Sequence, residues 1–280
     1  GYIQNAKKLG SFGLKMFAGD GTNVVLNQVD IALIGYFLPI KDVGHYTAAV
    51  AIAGFFSIIP GAIQKVTFSA TSEFLHNNNH RALNKMIDKS TKYSLFILLF
   101  LGLGVGFFAK EIMGRLFGPT FVSAALPLYV LLIARVIRGG TVVPIGNCLP
   151  AVGRPGINLI IEVISAGISV GLNILLIPHF GILGAAIATT LSLLAGAIIF
   201  LVYIIKLLTV KIDFRWYACI IGMAFLLIVS FWEISGFIDP HLVGGIALCL
   251  YIFVVFKFFI TSEDKTMFKT LSYSLILRRQ

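Results

Sequence analysis

Asp20, Asn23, Asn27 and Asp30 follow one another at intervals of three, four and three residues inside an otherwise apolar stretch. On an α-helix that spacing puts all four on one face. The stripe runs over ten rises, about 15 Å at 1.5 Å each, half the thickness of a hydrocarbon core. A second apolar stretch repeats the pattern with Glu162, Ser165, Ser169 and Asn173. In a third, Arg135 stands near the middle with Arg138 one turn on along the same face, and in a fourth Gln64 and Lys65 follow Pro60 and Gly61. Carboxylates and amides so placed line a polar interior or hold a cation, while forked guanidinium groups bind anionic oxygens and keep their charge. A second outcome is open to the same side chains: Arg135 and Arg138 neutralise Asp20, Asp30 or Glu162 as interhelical ion pairs, and Lys65 snorkels to the interface. Four charges such as Asp30, Arg135, Arg138 and Glu162, each facing lipid at mid-depth, would cost about 10 to 14 kcal/mol in all. They must face protein or water.

The elements that hold these residues are membrane spans. About 20 apolar residues in a helix cross a bilayer core. Stretches of that kind run over Gly13 to Phe37, Gly44 to Ser72, Tyr93 to Met113, Val122 to Asn147, Gly156 to Ile177, Leu183 to Leu208, Trp216 to Ser235 and Leu242 to Ile260. The chain therefore reads as an all-α polytopic membrane protein of about eight transmembrane helices. A hydrophobic content of 58%, a charged content of 12% and a mean hydropathy of +0.95 lie outside the soluble range. Breaks at Pro60-Gly61, Gly139-Gly140 and Pro144 are tolerated where protein or cavity water satisfies the freed backbone groups.

Charge gives the sidedness. Of the 22 Lys and Arg, all but Lys41, Lys110 and Arg115 fall on alternate connections, on one side of the membrane. Basic residues near span ends accumulate on the cytoplasmic face, so both ends of this chain are expected there. The net charge of +10 is thus a matter of topology, and no soluble basic face exists to bind nucleic acid. Cys148, Cys219 and Cys249 have no close spacing, which excludes a disulfide framework or a zinc cluster, and no metal or other cofactor is expected. Two basic segments carry helical apolar stripes: Leu75 to Ser90, with Ala82, Leu83, Met86 and Ile87, is expected to lie as a helix at the membrane surface, and Met267, Phe268, Leu271 and Leu275 mark the tail. The chain begins at Gly1 with an already basic segment and no initiating Met, and reads as a piece of a longer protein.

Residues Asn173 to Thr190, NILLIPHFGILGAAIATT, resemble the signature of the polysaccharide and lipid-linked oligosaccharide flippases of the multidrug/oligosaccharidyl-lipid/polysaccharide exporter superfamily. Asn173 precedes an apolar run, Pro178 and Gly181 make a turn, and Gly184, Ala185, Ala186 and Ala188 allow a close helix contact before Thr189. The first hairpin, with Asp30, Gly35, Gly44 and Tyr46, and the run Ser69-Ala70-Thr71-Ser72 are similar to the same family.

The resemblance implies two six-helix lobes around a central cavity, rocking to alternate access. Residues 1–210 would be the second lobe, 211–262 two additional transmembrane helices and 263–280 a cytoplasmic tail, with the first lobe missing upstream. The implied activity is transport rather than catalysis: translocation of an undecaprenyl-diphosphate-linked oligosaccharide across a bacterial inner membrane, for O-antigen, capsule or exopolysaccharide synthesis. Partners would be the lipid-linked oligosaccharide, membrane lipid and polysaccharide polymerase or assembly proteins. Arg135 and Arg138, with Lys65, Gln64, Asn23 and Asn27, are the expected cavity for diphosphate and sugar. Asp30, Asp20 and Glu162 are the candidates for ion coupling. A cation-coupled multidrug or toxin exporter is the alternative within the superfamily, although Arg135 would repel a cationic substrate. A membrane polymerase or ligase would need a large outer loop that this chain lacks.

Overall fold

The computed structural model describes residues 10, 13, 14, 17, 21, 28–210 and 213–259, with the side chains of 258 and 259 excepted. Asp20, Asn23, Asn27 and the apolar stripe of the tail lie outside the described residues. Every described element is helical: α1 (Gln28–Phe37), α2 (Ile40–Gly54), α3 (Ile58–His76), α4 (His80–Phe107), α5 (Ala109–Leu116), α6 (Ala125–Thr141), α7 (Cys148–Ala151), α8 (Pro155–Leu208), α9 (Phe214–Ile234) and α10 (Pro240–Val254), with short 3-10 turns between several of them. Two compact units divide the chain, residues 1–212 and 213–280.

In the first unit α6 is the central helix, packed chiefly against α8, α4 and α2. Helix association in lipid gains little from apolar burial, so close backbone approach has to supply it. Gly139 and Gly140 on α6 provide that approach, since a Cβ added at Gly140 would stand 2.7 Å from Leu95 Cα on α4. Gly140→Ala is therefore expected to cost about 1 to 3 kcal/mol by overpacking. Gly171→Ala, where a Cβ meets nothing within 4 Å, is expected to be neutral. Thermal unfolding of the detergent-purified full-length protein distinguishes the two.

At 54 residues, α8 would be about 80 Å long if straight, more than two bilayer cores. Gly181, at φ 58° and ψ −140°, breaks it into two rods, residues 155–180 and 182–208. The rods fold back on one another. A Cβ on Gly184 would meet Leu176 O and one on Gly196 would meet Ser165 Oγ, a pairing whose residue numbers sum to a nearly constant value, as an antiparallel hairpin centred on Gly181 requires. The turn and the small-residue contact expected from NILLIPHFGILGAAIATT are both present, with Ala185, Ala186 and Ala188 fully buried.

Three sequence expectations are corrected. Leu75 to Ser90 is not a separate surface helix: Leu75 lies in the last turn of α3, which ends at His76, and residues 80–90 are the first turns of the 28-residue α4. Asn79 caps that helix by accepting from Ala82 N–H at 3.0 Å, and no Gly or Pro interrupts it before Gly102, so the helix propagates. Its apolar stripe serves the core, with Leu83 and Ile87 packed among Ile145, Leu149, Phe200 and Ile204. The second span does not break at Pro60-Gly61. A 3-10 turn at Phe55–Ser57 interrupts it earlier, and Pro60 falls in the first turn of α3, where a missing N–H is tolerated.

The helix does not break at Gly139-Gly140, which lie inside α6; the break falls after Thr141, at the 3-10 turn that holds Pro144, and its freed carbonyls are satisfied by side chains. Ser94 Oγ donates to Gly139 O at 2.8 Å, Thr67 Oγ1 to Pro144 O at 2.5 Å and Asn158 Nδ2 to Gly146 O at 3.1 Å. Each donor comes from a different helix, so the irregular segment is held by protein.

The second unit is a helical hairpin. Asp213 Oδ1 accepts from Trp216 N–H at 3.3 Å to cap α9, and Asp239 Oδ1 accepts from His241 N–H at 2.8 Å to cap α10, where Pro240 takes the first position. Ala224 and Ile220 on α9, and Val243, Ala247 and Tyr251 on α10, are buried, while Phe225, Leu226, Phe253 and Phe256 are exposed. Apolar side chains outward on helices of this length describe lipid-facing spans.

Candidate functional site

Asp30 is carried by α1 and is 2% exposed. An uncompensated charge at such a depth costs about 3 kcal/mol on insertion scales, so its partners decide whether the helix is tolerated. Tyr46 Oη, on α2, donates to Asp30 Oδ2 at 2.6 Å. Thr189 Oγ1, from the second rod of α8, donates to the same oxygen at 3.2 Å, and Ile31 N–H donates to Oδ1 at 2.9 Å. The short bond from Tyr46 is of charge-assisted length. One carboxylate thus ties together three elements far apart in sequence.

On α6, beside this group, Arg135 is half-buried and feels the charges of Asp30 and Arg138 as well as the Tyr46 hydroxyl. Arg138 Nη2 lies 2.9 Å from Glu162 Oε1, on the first rod of α8, with side chains 20% and 16% exposed. Of the two sequence outcomes for the arginines, the interhelical ion pair is the one present at Arg138. Asp30, Tyr46, Arg135, Arg138, Glu162 and Thr189 form a polar belt across α1, α2, α6 and both rods of α8.

Gln64 and Lys65 belong elsewhere. Half-buried Gln64 donates through Nε2 to Asn147 Oδ1 at 3.3 Å, beside the irregular segment after α6, whereas Lys65 is exposed on α3. Ser165, Ser169 and Asn173, expected to continue a polar stripe from Glu162, are at most 3% exposed and do not line an open surface. Ser165 Oγ donates to Ile161 O at 2.8 Å and Asn173 Nδ2 to Ser169 O at 2.9 Å. The reason is the hairpin: these residues form the seam on which the second rod packs, so their hydroxyls and amide turn back onto their own helix.

Tyr46 and Thr189 are the site residues that periodicity did not single out. Both stood inside the family-like motifs, but neither is charged, and only the helix pairing shows that their hydroxyls meet on Asp30. A buried aromatic with a polar tip was the available signal at Tyr46, since such a hydroxyl requires a partner. Among the described residues no group of three or more His, Cys, Asp or Glu is placed to hold a metal.

This arrangement, apolar helices with discontinuous spans and buried charged side chains, is that of a multi-pass membrane protein. Residues 2–126 match the family model described as "Polysaccharide biosynthesis protein". The chain is 28% identical over 212 residues to the probable low-salt glycan biosynthesis flippase Agl15 of Haloferax volcanii, covering 76% of this chain and 45% of that protein. Its fold is similar to that of the lipid II flippase MurJ in an inward closed conformation, at a TM-score of 0.65 and 17% identity, over 85% of this chain and 52% of that one. A multidrug resistance MATE family transporter in an outward-facing conformation matches at a TM-score of 0.57 and 18% identity, over 86% and 62%. The chain is thus similar in sequence, over residues 2–126, to a polysaccharide-biosynthesis family, and similar in fold to transporters of which one is of the MOP superfamily. It spans about half the length of the flippases it matches.

Proposed function

We propose that this chain is the second lobe, with its terminal helical pair, of a flippase that moves a lipid-diphosphate-linked oligosaccharide between leaflets. The substrate we assign is of the undecaprenyl-diphosphate type, in a bacterial inner membrane with the Lys- and Arg-rich side cytoplasmic. The observation that carries this reading is the placement of two arginines on one face of the central helix, one paired with Glu162 and the other beside Asp30. A cationic drug would meet repulsion there, whereas a diphosphate finds forked donors.

In this mechanism Arg135 binds a diphosphate oxygen and Arg138 exchanges Glu162 for substrate. The lipid tail stays in the bilayer, so the protein is spared the cost of extracting it. Asp30 is the ion-coupling group: a proton or cation taken up there alters the acceptor shared by Tyr46 and Thr189, and so the seam between α1, α2 and α8. Asp20, Asn23 and Asn27 remain candidates for the cavity lining.

The test is Arg135→Lys in the full two-lobed protein. Lys keeps the charge but loses the planar fork, so polysaccharide export in a flippase-deleted strain is expected to fall at least tenfold while protein abundance is unchanged. Normal export at normal abundance would remove Arg135 from the transport pathway. Sidedness is checked by single cysteines in a background lacking the native ones. Asp42→Cys and Asp239→Cys are expected to react with an impermeant thiol reagent from outside and Asn78→Cys only from within; the reverse pattern would invert the orientation.

A further inference from the structure

Three amides gather round Gly146, in the irregular segment after α6. Asn158 Nδ2, from the start of α8, donates to Gly146 O at 3.1 Å, and Gln64 Nε2, from α3, donates to Asn147 Oδ1 at 3.3 Å. A Cβ on Gly146 would stand 2.6 Å from Gln64 Nε2, so the bare backbone there is what admits the Gln64 amide. All three amides are half-buried. The backbone of the segment does not call for the whole set. Thr67 and Asn158 serve its carbonyls, whereas the bond between Gln64 and Asn147 serves none, and Asn147, at the N-cap position of α7, makes no cap bond with its side chain. An amide has a donor end and an acceptor end. Among the described residues, Gln64 Oε1, Asn147 Nδ2 and Asn158 Oδ1 take no protein partner. Polar ends half-buried among apolar helices are costly unless water or a ligand meets them.

Their position is set by α8. Asn158 and Glu162 are four residues apart and share a face, so Asn158 lies about 6 Å along the helix from the carboxylate that pairs with Arg138, toward the Lys- and Arg-rich side. A lipid-linked sugar diphosphate in the leaflet of that side presents its parts in order along the membrane normal: tail in hydrocarbon, then diphosphate, then sugar. Arg138 and the amides stand in the same order, with the charge deeper and the neutral donors and acceptors one turn nearer the surface.

We propose that Gln64, Asn147 and Asn158 form the subsite for the sugar bonded directly to the diphosphate and read its hydroxyls. This rests on the flippase reading, in which the diphosphate reaches Arg138. Hydroxyls donate and accept, as the ends of amides do, and three uncharged side chains suit a neutral sugar. A lipid diphosphate without sugar engages the arginines and leaves the amides to water.

Native mass spectrometry of the full two-lobed protein, titrated with undecaprenyl diphosphate either bare or carrying one glucose or one galactose, tests the proposal. The wild-type protein is expected to hold at least one of the glycosylated lipids about tenfold or more tighter than the bare one, since a site built to bond hydroxyls discriminates against a ligand lacking them. Gln64→Met and Asn147→Leu, which keep bulk and remove an amide, are each expected to bring that ratio to about one. Thr67→Val, which removes the donor to Pro144 O and touches no amide, is expected to lower the thermal midpoint and keep the ratio. A wild-type ratio of one with both kinds of lipid bound would overturn the subsite and leave the flippase reading standing, whereas binding of neither would overturn both. A ratio unchanged in Gln64→Met and Asn147→Leu, or lost in Thr67→Val as well, would mean that the amides serve the shape of the segment and not the sugar.

Discussion

Arg138→Ala is expected to destabilise the protein by about 3 kcal/mol, the lower end of the cost of breaking a buried ion pair. The pair with Glu162 is only a fifth and a sixth exposed, so little water reaches the carboxylate that would be left behind. Much of the cost is that orphaned charge rather than the lost attraction. Arg138→Gln combined with Glu162→Gln is accordingly expected to recover most of the stability while leaving export lost, because a neutral amide pair holds the helices together but does not hold phosphate. Thermal unfolding and export measured on the same three proteins separate the terms. If the single Ala variant is as stable as wild type, the pair contributes nothing to folding.

Asp30 gives the second large effect. Asp30→Ala removes the acceptor shared by Tyr46 and Thr189, and leaves the hydroxyl of fully buried Tyr46 without its carboxylate, at a cost of about 1 to 3 kcal/mol. Asp30→Asn keeps an acceptor oxygen of the same reach and removes the charge. It is expected to be close to wild type in stability and at least tenfold lower in export, which a merely structural Asp30 would not produce. Export at the wild-type rate by Asp30→Asn would assign the residue to packing alone.

The sequence made the class of protein legible because lipid imposes a coarse rule: stretches of about 20 apolar residues with basic connections have few other readings. The turn at Gly181 and the packing of Gly184 to Ala188 were legible for a similar reason, since small residues after a Pro and Gly mark where two helices must touch. Depth was visible and direction was not. Ser165, Ser169 and Asn173 share a face with Glu162, yet only the hairpin decides that this face meets the second rod instead of a cavity. The start of α4 was misread because an amphipathic basic segment looks the same whether it lies on the membrane or continues into it; the Asn79 cap and the absence of any breaker before Gly102 decide the matter. The Asp30 cluster was half visible. The carboxylate announces itself in an apolar span, but the two hydroxyls that hold it lie 16 and 159 residues away.

The most direct measurement is translocation by the full two-lobed protein reconstituted in liposomes. A fluorescent lipid-diphosphate-linked oligosaccharide is placed in both leaflets, and its accessibility to an external quencher is followed with time. Wild-type protein is expected to make nearly all of the lipid accessible within minutes, and Arg135→Lys to slow this at least tenfold at equal protein content. Accessibility fixed at the outer-leaflet fraction, in vesicles where the same protein drives efflux of a cationic dye, would contradict the flippase reading and assign the polar belt to a cation exporter.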